Sequence, residues 1–135
     1  MYVDVPFTNG EFYSMLFIDK NVDDIESDES IIVFSITKEV DSISFKNAII
    51  QSQLPFELPE FEKDIEEMII EEEFGNDYFG NLIINNYPNL QSIVVKKKSL
   101  NYLKSLKICN CEKLKTIESE NNVFYNVKNV IIESI

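Results

Sequence analysis

The sequence predicts a mainly β chain that winds as a short right-handed solenoid, with two short strands in each coil of about 24 residues. Three observations favour this fold class: a recurring apolar pattern, an apolar content rich in Ile and Phe, and the near absence of Ala. The 135 residues include 10 Phe but a single Ala, Ala48. β-branched and aromatic residues favour strands, whereas Ala favours helices.

One set of strands is predicted from residues 79–84, 103–108 and 127–132, which align at steps of 24 residues. Each segment has the spacing Leu-x-x-Leu-x-Leu, and alternate residues of a strand point to the same side. The pattern therefore predicts which residues face the core and which close the turn before each strand. The core positions are Leu82, Ile84, Leu106, Ile108, Val130 and Ile132, and the turn positions are Phe79, Leu103 and Val127.

A second set of strands lies between the first, at residues 90–95 and 114–119, again 24 residues apart. Two alternating sets predict a coil with one strand on each of two opposite walls. A single coil cannot bury its own apolar side, so stacked neighbours must complete the core. Phe45, Ala48 and Ile50 fit the template of the first set, which predicts that the repeats begin at residue 45.

Residues 60–73 leave two structures open. Residues 65–73 overlay residues 90–98 at an offset of 25, which favours a strand. Pro59 followed by Phe61, Ile65, Met68, Ile69 and Gly75 also fits an amphipathic helix with a C-terminal stop, which would make the fold α/β. Residues 51–60 are predicted to form a loop, because two prolines disfavour a central strand.

The whole chain is expected to be a single solenoid domain, in which residues 1–44 form irregular first coils and an N-terminal cap. Residues 3–7 and 12–18 suggest a hairpin that turns near Asn9 and Gly10. Residues 21–30 read as an acidic loop, and residues 31–36 and 43–50 as further strands. The chain stops at Ile135, one strand into a repeat, so we expect either a fragment or an edge covered by a partner.

The net charge of −12 divides unevenly along the chain. Residues 1–77 carry 20 acids and 4 Lys, a net charge of −16, and residues 78–135 carry 4 acids and 8 Lys, a net charge of +4. This balance argues against general nucleic-acid binding. The offset of 25 also predicts that residues Glu71 to Glu73 stack beside Lys96 to Lys98, which would favour the correct coil register.

The composition argues against catalysis, cofactors and metals. The chain has no His, which excludes His-based general bases and triads. Its three Gly form no phosphate-binding pattern. Cys109 and Cys111 are interpreted as reduced structural thiols. Because no apolar run is long enough to span a membrane, a cytoplasmic protein is the default expectation, with the cell surface open if the chain is a fragment.

The run Leu103-x-x-Leu106-x-Ile108-x-x-Cys111-x-x-Leu114-x-x-Ile117 resembles a leucine-rich repeat. The 24-residue length, the second strand and residues 122–127 make the chain most similar to the BspA-like subclass, over residues 65–135. Tyr87 and Ile135 depart from the Asn or Cys of the family pattern. The resemblance implies a non-catalytic scaffold for an unidentified protein partner. It nominates the outward residues of the first strand set: Asn81, Ile83, Asn85, Ser105, Lys107, Cys109, Asn129, Ile131 and Glu133.

Two other functions stay open. The chain could be a structural segment of a larger repeat protein that associates end to end through its oppositely charged halves. A weaker alternative is polyanion binding, since a basic cluster attracts acidic partners. That cluster contains Lys96, Lys97, Lys98, Lys104, Lys107, Lys113 and Lys115. The sequence favours the structural interpretation of these lysines, as partners of the acidic coils beside them.

Overall fold

The computed structural model describes residues 12–20, 27–51, 55–58, 61–62, 64–120 and 129–133, with the backbone alone for 12–20, 27–29 and 129–130. Every regular element in these ranges is a strand, and the strands form two sheets. They are β1 (Phe12–Lys20), β2 (Ser27–Thr37), β3 (Ser42–Ile49), β4 (Phe56–Leu58), β5 (Glu67–Ile70), β6 (Asn81–Asn85), β7 (Ser92–Val95), β8 (Ser105–Cys109), β9 (Thr116–Ser119) and β10 (Asn129–Glu133).

The two sheets are the two walls of a solenoid. Sheet A has the order β1-β2-β3-β5-β7-β9, and sheet B has the order β10-β8-β6-β4. From β3 onward the chain alternates between the walls, and neighbouring strands within each wall are parallel. The stacked coils form a β-solenoid of about three turns. This confirms the predicted mainly β solenoid with two short strands in each coil.

The strand registers reproduce the sequence repeat. Leu82 lies opposite Leu106 in sheet B, and Ile93 lies opposite Ile117 in sheet A, both at the predicted step of 24. The step is 25 between β5 and β7, where Met68 faces Ile93. It lengthens to 26 between β4 and β6. The coils therefore stack in register even though they differ in length by one or two residues.

The core lies between the sheets and is built by strand alternation. The predicted core residues Leu82, Ile84, Leu106 and Ile108 are buried, and sheet A contributes residues such as Met68 to the same cluster. Burying each such side chain contributes roughly 1.5–3 kcal/mol. Ile132 differs from this prediction, because 60% of it is exposed. Its strand β10 is the last strand of sheet B, so no further described strand covers it.

The core is aromatic at its N-terminal end. The Phe34 and Phe61 rings lie 4.2 Å apart, and Phe45 contacts Phe74 at 5.4 Å between centroids. Phe34 belongs to β2, which runs antiparallel to β1 and to β3. The antiparallel pair β1–β2 therefore extends sheet A, and β2 buries apolar side chains such as Phe34 against the first coil.

Residues 65–70 contain a strand rather than a helix, because β5 pairs with β3 and β7 on its two sides. The predicted loop at 51–60 is wrong for Phe56–Leu58, which form β4. Prolines at 55 and 59 flank this strand, and it lies at the edge of sheet B, where one side needs no ladder hydrogen bonds. Residues 52–54, 59 and 60 lie outside the described ranges.

The repeat template fails in the first coil. Phe45, Ala48 and Ile50 match the spacing of the sheet B strands, but β3 lies in sheet A and pairs Phe45 with Ile70. The spacing matches both walls because both carry apolar residues at alternate positions. The predicted hairpin partner at 3–7 lies outside the described residues, as do positions 21–26 of the acidic loop, whose remaining residues 27–30 belong to β2.

Backbone hydrogen bonds tie each coil to the next at the entry to sheet A. The Asp41 carbonyl accepts the amides of residues 66 and 67 at 2.7 and 3.2 Å. The Glu66 carbonyl accepts those of residues 91 and 92, and the Gln91 carbonyl accepts those of residues 115 and 116, at similar distances. The same two-donor contact therefore recurs in three successive coils and fixes their stacking.

Candidate binding surfaces

The nine nominated residues belong to three neighbouring strands of sheet B, β6, β8 and β10. The parallel registers of β6, β8 and β10 arrange their positions in three rows that run across the strands. The outer rows are Asn81–Ser105–Asn129 and Asn85–Cys109–Glu133, and the middle row is Ile83–Lys107–Ile131. The side chain of Asn129 is outside the described part of the structure.

The middle row places a charged residue between two isoleucines. Ile131 is 45% exposed and Ile83 is partly exposed. Between them, the Lys107 ammonium lies 2.9 Å from the Glu133 carboxylate. The hydrogen bond to Glu133 and the negative charge of that carboxylate raise the pKa of Lys107 above its ordinary value. Lys107 is therefore held in place by an ion pair on the same face.

The outer rows are linked by side-chain hydrogen bonds. The Ser105 hydroxyl donates to the Asn81 amide oxygen at 2.8 Å. The Asn85 amide donates to the Glu57 carboxylate at 2.8 Å, and the Asn110 amide donates to the Asn85 oxygen at 2.9 Å. These contacts run from coil to coil, so they order the polar borders of the isoleucine row.

The prediction that Cys109 lies on the exposed face is wrong, because only 6% of this residue is exposed. It is the last residue of β8 and lies between Asn85 and Glu133 of the neighbouring strands, whose side chains are longer than its own. Cys111 is also buried, and its thiol donates to the Cys109 carbonyl at 3.3 Å. Burial raises the pKa of the Cys111 thiol. Both cysteines are free thiols.

Four members of the lysine cluster contact acidic or polar side chains of neighbouring coils. Lys97 lies 3.7 Å from Glu72, which confirms that the two charge runs face each other. Lys96 contacts Glu120 at 4.0 Å, and Lys113 donates to Asn89 at 3.2 Å. These contacts support the structural interpretation of the lysines.

Glu71 extends the pairing of charges into a column that runs along sheet A, from β3 to β9. The sequence predicted that Glu71 stacks beside the lysines at 96–98. In the structure its carboxylate also contacts Lys46 of the preceding coil, at 3.2 Å. Lys96 stands one coil further on, and Glu120 follows. The column thus alternates as Lys46, Glu71, Lys96 and Glu120, with steps of 25, 25 and 24 residues.

A second surface was not predicted: an exposed pair of aromatic rings at the turns that lead from sheet A to sheet B. Phe79 is 62% exposed and Tyr102 is 47% exposed. Their rings stack, with centroids 5.2 Å apart and planes at 28°. The sequence pattern predicted that Phe79 and Leu103 occupy equivalent turn positions. Leu103 is buried but Phe79 is exposed, so this prediction is wrong for Phe79.

A change of register explains why Phe79 faces solvent. Tyr78 and Leu103 are the buried residues of their two turns, and they are 25 positions apart in the sequence. Gly80 and Lys104 lie side by side where the next strands begin, because the Gly80 carbonyl accepts the Lys104 amide, and they are only 24 positions apart. One residue is therefore extra between these positions, and it is Phe79. The change of offset from 25 to 24 is visible in the sequence, but it does not say which of the two adjacent aromatics points inward.

A groove of about 410 Å³ adjoins the aromatic pair. Its walls include Phe79, the apolar Ile50, and the polar side chains of Gln51, Asp77 and Lys104.

Among the described residues, no group of three or more Cys, Asp or Glu side chains could hold a metal ion. No helix that could cross a membrane was found in the part of the chain that the structure describes.

Comparison with known proteins gives no match: no family model, no curated protein and no solved structure matches this chain.

Proposed function

We propose that the protein is a non-catalytic protein-binding solenoid and that its binding surface is the outer face of sheet B. The observation that carries this proposal is the exposed Ile131, which lies in one row with Ile83 on a face otherwise bordered by polar side chains. Apolar side chains that share a solvent-facing surface gain free energy when a partner covers them.

The geometry of the face suits a protein partner. Ile83 and Ile131 stand two strands apart, a separation of about 10 Å at the usual strand spacing. Lys107 between them has its charge balanced by Glu133. An apolar centre with a hydrogen-bonded polar border is the usual composition of a protein interface. The parallel strands also hold the row rigid, which lowers the entropy lost on binding.

The resemblance to leucine-rich repeats supports the same assignment, because proteins of that family commonly bind their partners through one sheet. The two-walled coil and the 24-residue step are shared features. The BspA-like subclass and the identity of the partner belong to the proposal. The Asn or Cys position of the family pattern is held here by Tyr87 in one coil and by Cys111 in the next, both buried.

The proposal is tested by capture of partners on the immobilised chain, compared quantitatively with the Ile131→Asp variant. A charge in the middle of the face should remove a true partner of that face. The matched control is Ile49→Asp, because Ile49 is 51% exposed on a strand of sheet A. Circular dichroism of both variants should match the unchanged protein.

The expected result is a protein that the unchanged chain and Ile49→Asp retain and that Ile131→Asp loses. Direct titration with the purified candidate should then show an affinity about tenfold or more weaker for Ile131→Asp. If every captured protein is retained equally by both variants, the outer face of sheet B is not the binding surface and the proposal is wrong.

A second candidate function, end-to-end self-association, has an observation of its own. A groove of about 460 Å³ lies between β9 and β10 and is lined in part by Leu114, Ile117 and Ile132. The acidic and basic halves of the chain would attract each other in a head-to-tail contact. Light scattering over a range of concentration and salt tests this function, and monomers under all conditions would contradict it.

A further inference from the structure

The stacked rings of Phe79 and Tyr102 form a surface that the packing of the solenoid does not require. Phe79 is the extra residue of its coil, and the buried position that it could fill is taken by Tyr78. The following coil makes the same turn with one residue fewer, and Leu103 fills its buried position. The exposed ring therefore stacks on Tyr102 without closing the core.

The groove beside the rings combines flat apolar surface with hydrogen-bond donors. Ile50 adds apolar surface, and the Gln51 amide and the Lys104 ammonium can each donate. Tyr102 does not line the groove itself, but its exposed ring stacks on Phe79 and extends the aromatic surface at the groove's edge. Asp77 and Lys104 contribute one negative and one positive charge to the lining, so the lining as a whole is neutral. A strongly anionic or strongly cationic ligand would be repelled by one of these two residues, so the lining favours an uncharged ligand.

We infer that this groove binds a proline-rich peptide segment in the polyproline II conformation. Proline rings are compact and apolar and pack against exposed aromatic rings, and aromatic-lined grooves are the usual docking sites for such segments. A polyproline II segment makes no internal hydrogen bonds, so its carbonyls are free acceptors. Gln51 and Lys104 supply the matching donors. Because the segment is already extended when free, little conformational entropy is lost on binding.

This site is distinct from the outer face of sheet B, so the inference goes beyond the proposed function and does not depend on it. Phe79 and Tyr102 lie in the turns that lead from sheet A to sheet B, whereas Ile131 lies within β10. A protein that uses both surfaces would bind a folded partner on one and an extended segment on the other.

The test is a titration of the full chain with decaproline, followed by the backbone amide signals of the ¹⁵N-labelled protein. The expected shifts map to the residues around Phe79 and Tyr102. Phe79→Ala and Tyr102→Ala should each weaken binding about tenfold. The control is Val40→Ala, which removes an apolar side chain that is 64% exposed in the turn between β2 and β3. Cellohexaose serves as a second ligand, because sugars also pack on aromatic rings.

The inference stands if decaproline binds, if both aromatic variants weaken binding, and if Val40→Ala and Ile131→Asp do not. Retention of binding by Ile131→Asp separates this site from the sheet B face. The inference is overturned if decaproline produces no shifts, or if the aromatic variants bind it as well as the unchanged chain does. Binding of cellohexaose without binding of decaproline would also overturn it, in favour of a carbohydrate site.

Discussion

The Tyr78 ring lies against Gly80 so closely that a Cβ at residue 80 would overlap the Tyr78 hydroxyl. That hydroxyl donates to the Asn81 carbonyl at 2.9 Å, and Tyr78 is only 4% exposed, so the ring has little room to move. The next coil has Leu103 and Lys104 at the equivalent positions. Gly80 is therefore required by its neighbour rather than by the turn itself.

We predict that Gly80→Ala lowers the free energy of unfolding by about 1–3 kcal/mol, because it displaces a buried ring and its hydrogen bond. In a Tyr78→Leu background, which copies the next coil, the same substitution should cost much less. Urea denaturation of the two single variants and the double variant gives the coupling free energy. Additive effects would show that Tyr78 does not restrict residue 80.

The column Lys46, Glu71, Lys96 and Glu120 predicts a salt-sensitive contribution to stability. Glu71→Lys would place three lysines in succession where the charges now alternate. We expect a loss of about 1 kcal/mol in the free energy of unfolding at low salt, since exposed and partly exposed ion pairs are individually weak. Most of that loss should disappear in about 1 M salt, where the Debye length falls to roughly 3 Å.

The matched control for this column is Glu118→Lys, which changes the net charge by the same amount on the exposed side of β9. Denaturant unfolding at several salt concentrations should separate the two variants. If both lose the same stability with the same dependence on salt, net charge and not the column accounts for the effect.

Much of the fold could be predicted because strands such as β5, β6 and β7 alternate buried residues with more exposed ones. In β6 and β8 the alternate positions on one face are all apolar, so the sequence predicts that this face is buried. These positions are Leu82, Ile84, Leu106 and Ile108. The strand β4 could not be predicted, since prolines disfavour strands in general and an edge position becomes visible only when the sheet is assembled.

The errors of register have a different cause. Phe45 fits the patterns of both walls, and its wall is decided by long-range pairing with Ile70 rather than by local sequence. Tyr78 and Phe79 are adjacent aromatics, and the choice of the buried one depends on the space beside Gly80. The exposed aromatic pair was missed for this reason, whereas alternation predicted which of the described side chains of β6, β8 and β10 point outward, apart from the buried Cys109.

Burial of the Cys111 thiol predicts a loss of stability at alkaline pH. Burial raises the pKa of Cys111 in the folded chain above its ordinary value of 9.0. Above that value the unfolded chain releases the thiol proton while the folded chain retains it, so unfolding becomes more favourable as pH rises. The contribution is fully present below the unfolded pKa and is lost as pH rises through the folded pKa.

The measurement is the free energy of unfolding of the unchanged chain and of Cys111→Ala from about pH 7 to about pH 10. The unchanged chain should lose stability more steeply above about pH 9 than the variant does. Every other residue is the same in the two proteins, so the difference between the two curves reports on Cys111. Parallel curves would contradict the prediction.

Deletion of Phe79 should leave the solenoid folded. Without this residue, Tyr78 would stand 24 positions before Leu103 and directly before Gly80, so the turn would match the following coil in length. The core would keep the Tyr78 ring, and only the exposed stack with Tyr102 would be lost, a change of about 1 kcal/mol or less. Deletion of Tyr102 is the matched control, because it removes an exposed aromatic from a turn with no extra residue.

Deletion of Tyr102 should cost several kcal/mol, since Leu103 would be drawn out of its buried position or the strand β8 shifted by one residue. A one-residue slip would turn every side chain of β8 to the opposite face of sheet B. Thermal and denaturant unfolding of the two deletion variants measures the difference. Equal losses would show that Phe79 is not the extra residue, and an unfolded Phe79 deletion would show that its exposed ring contributes to the fold.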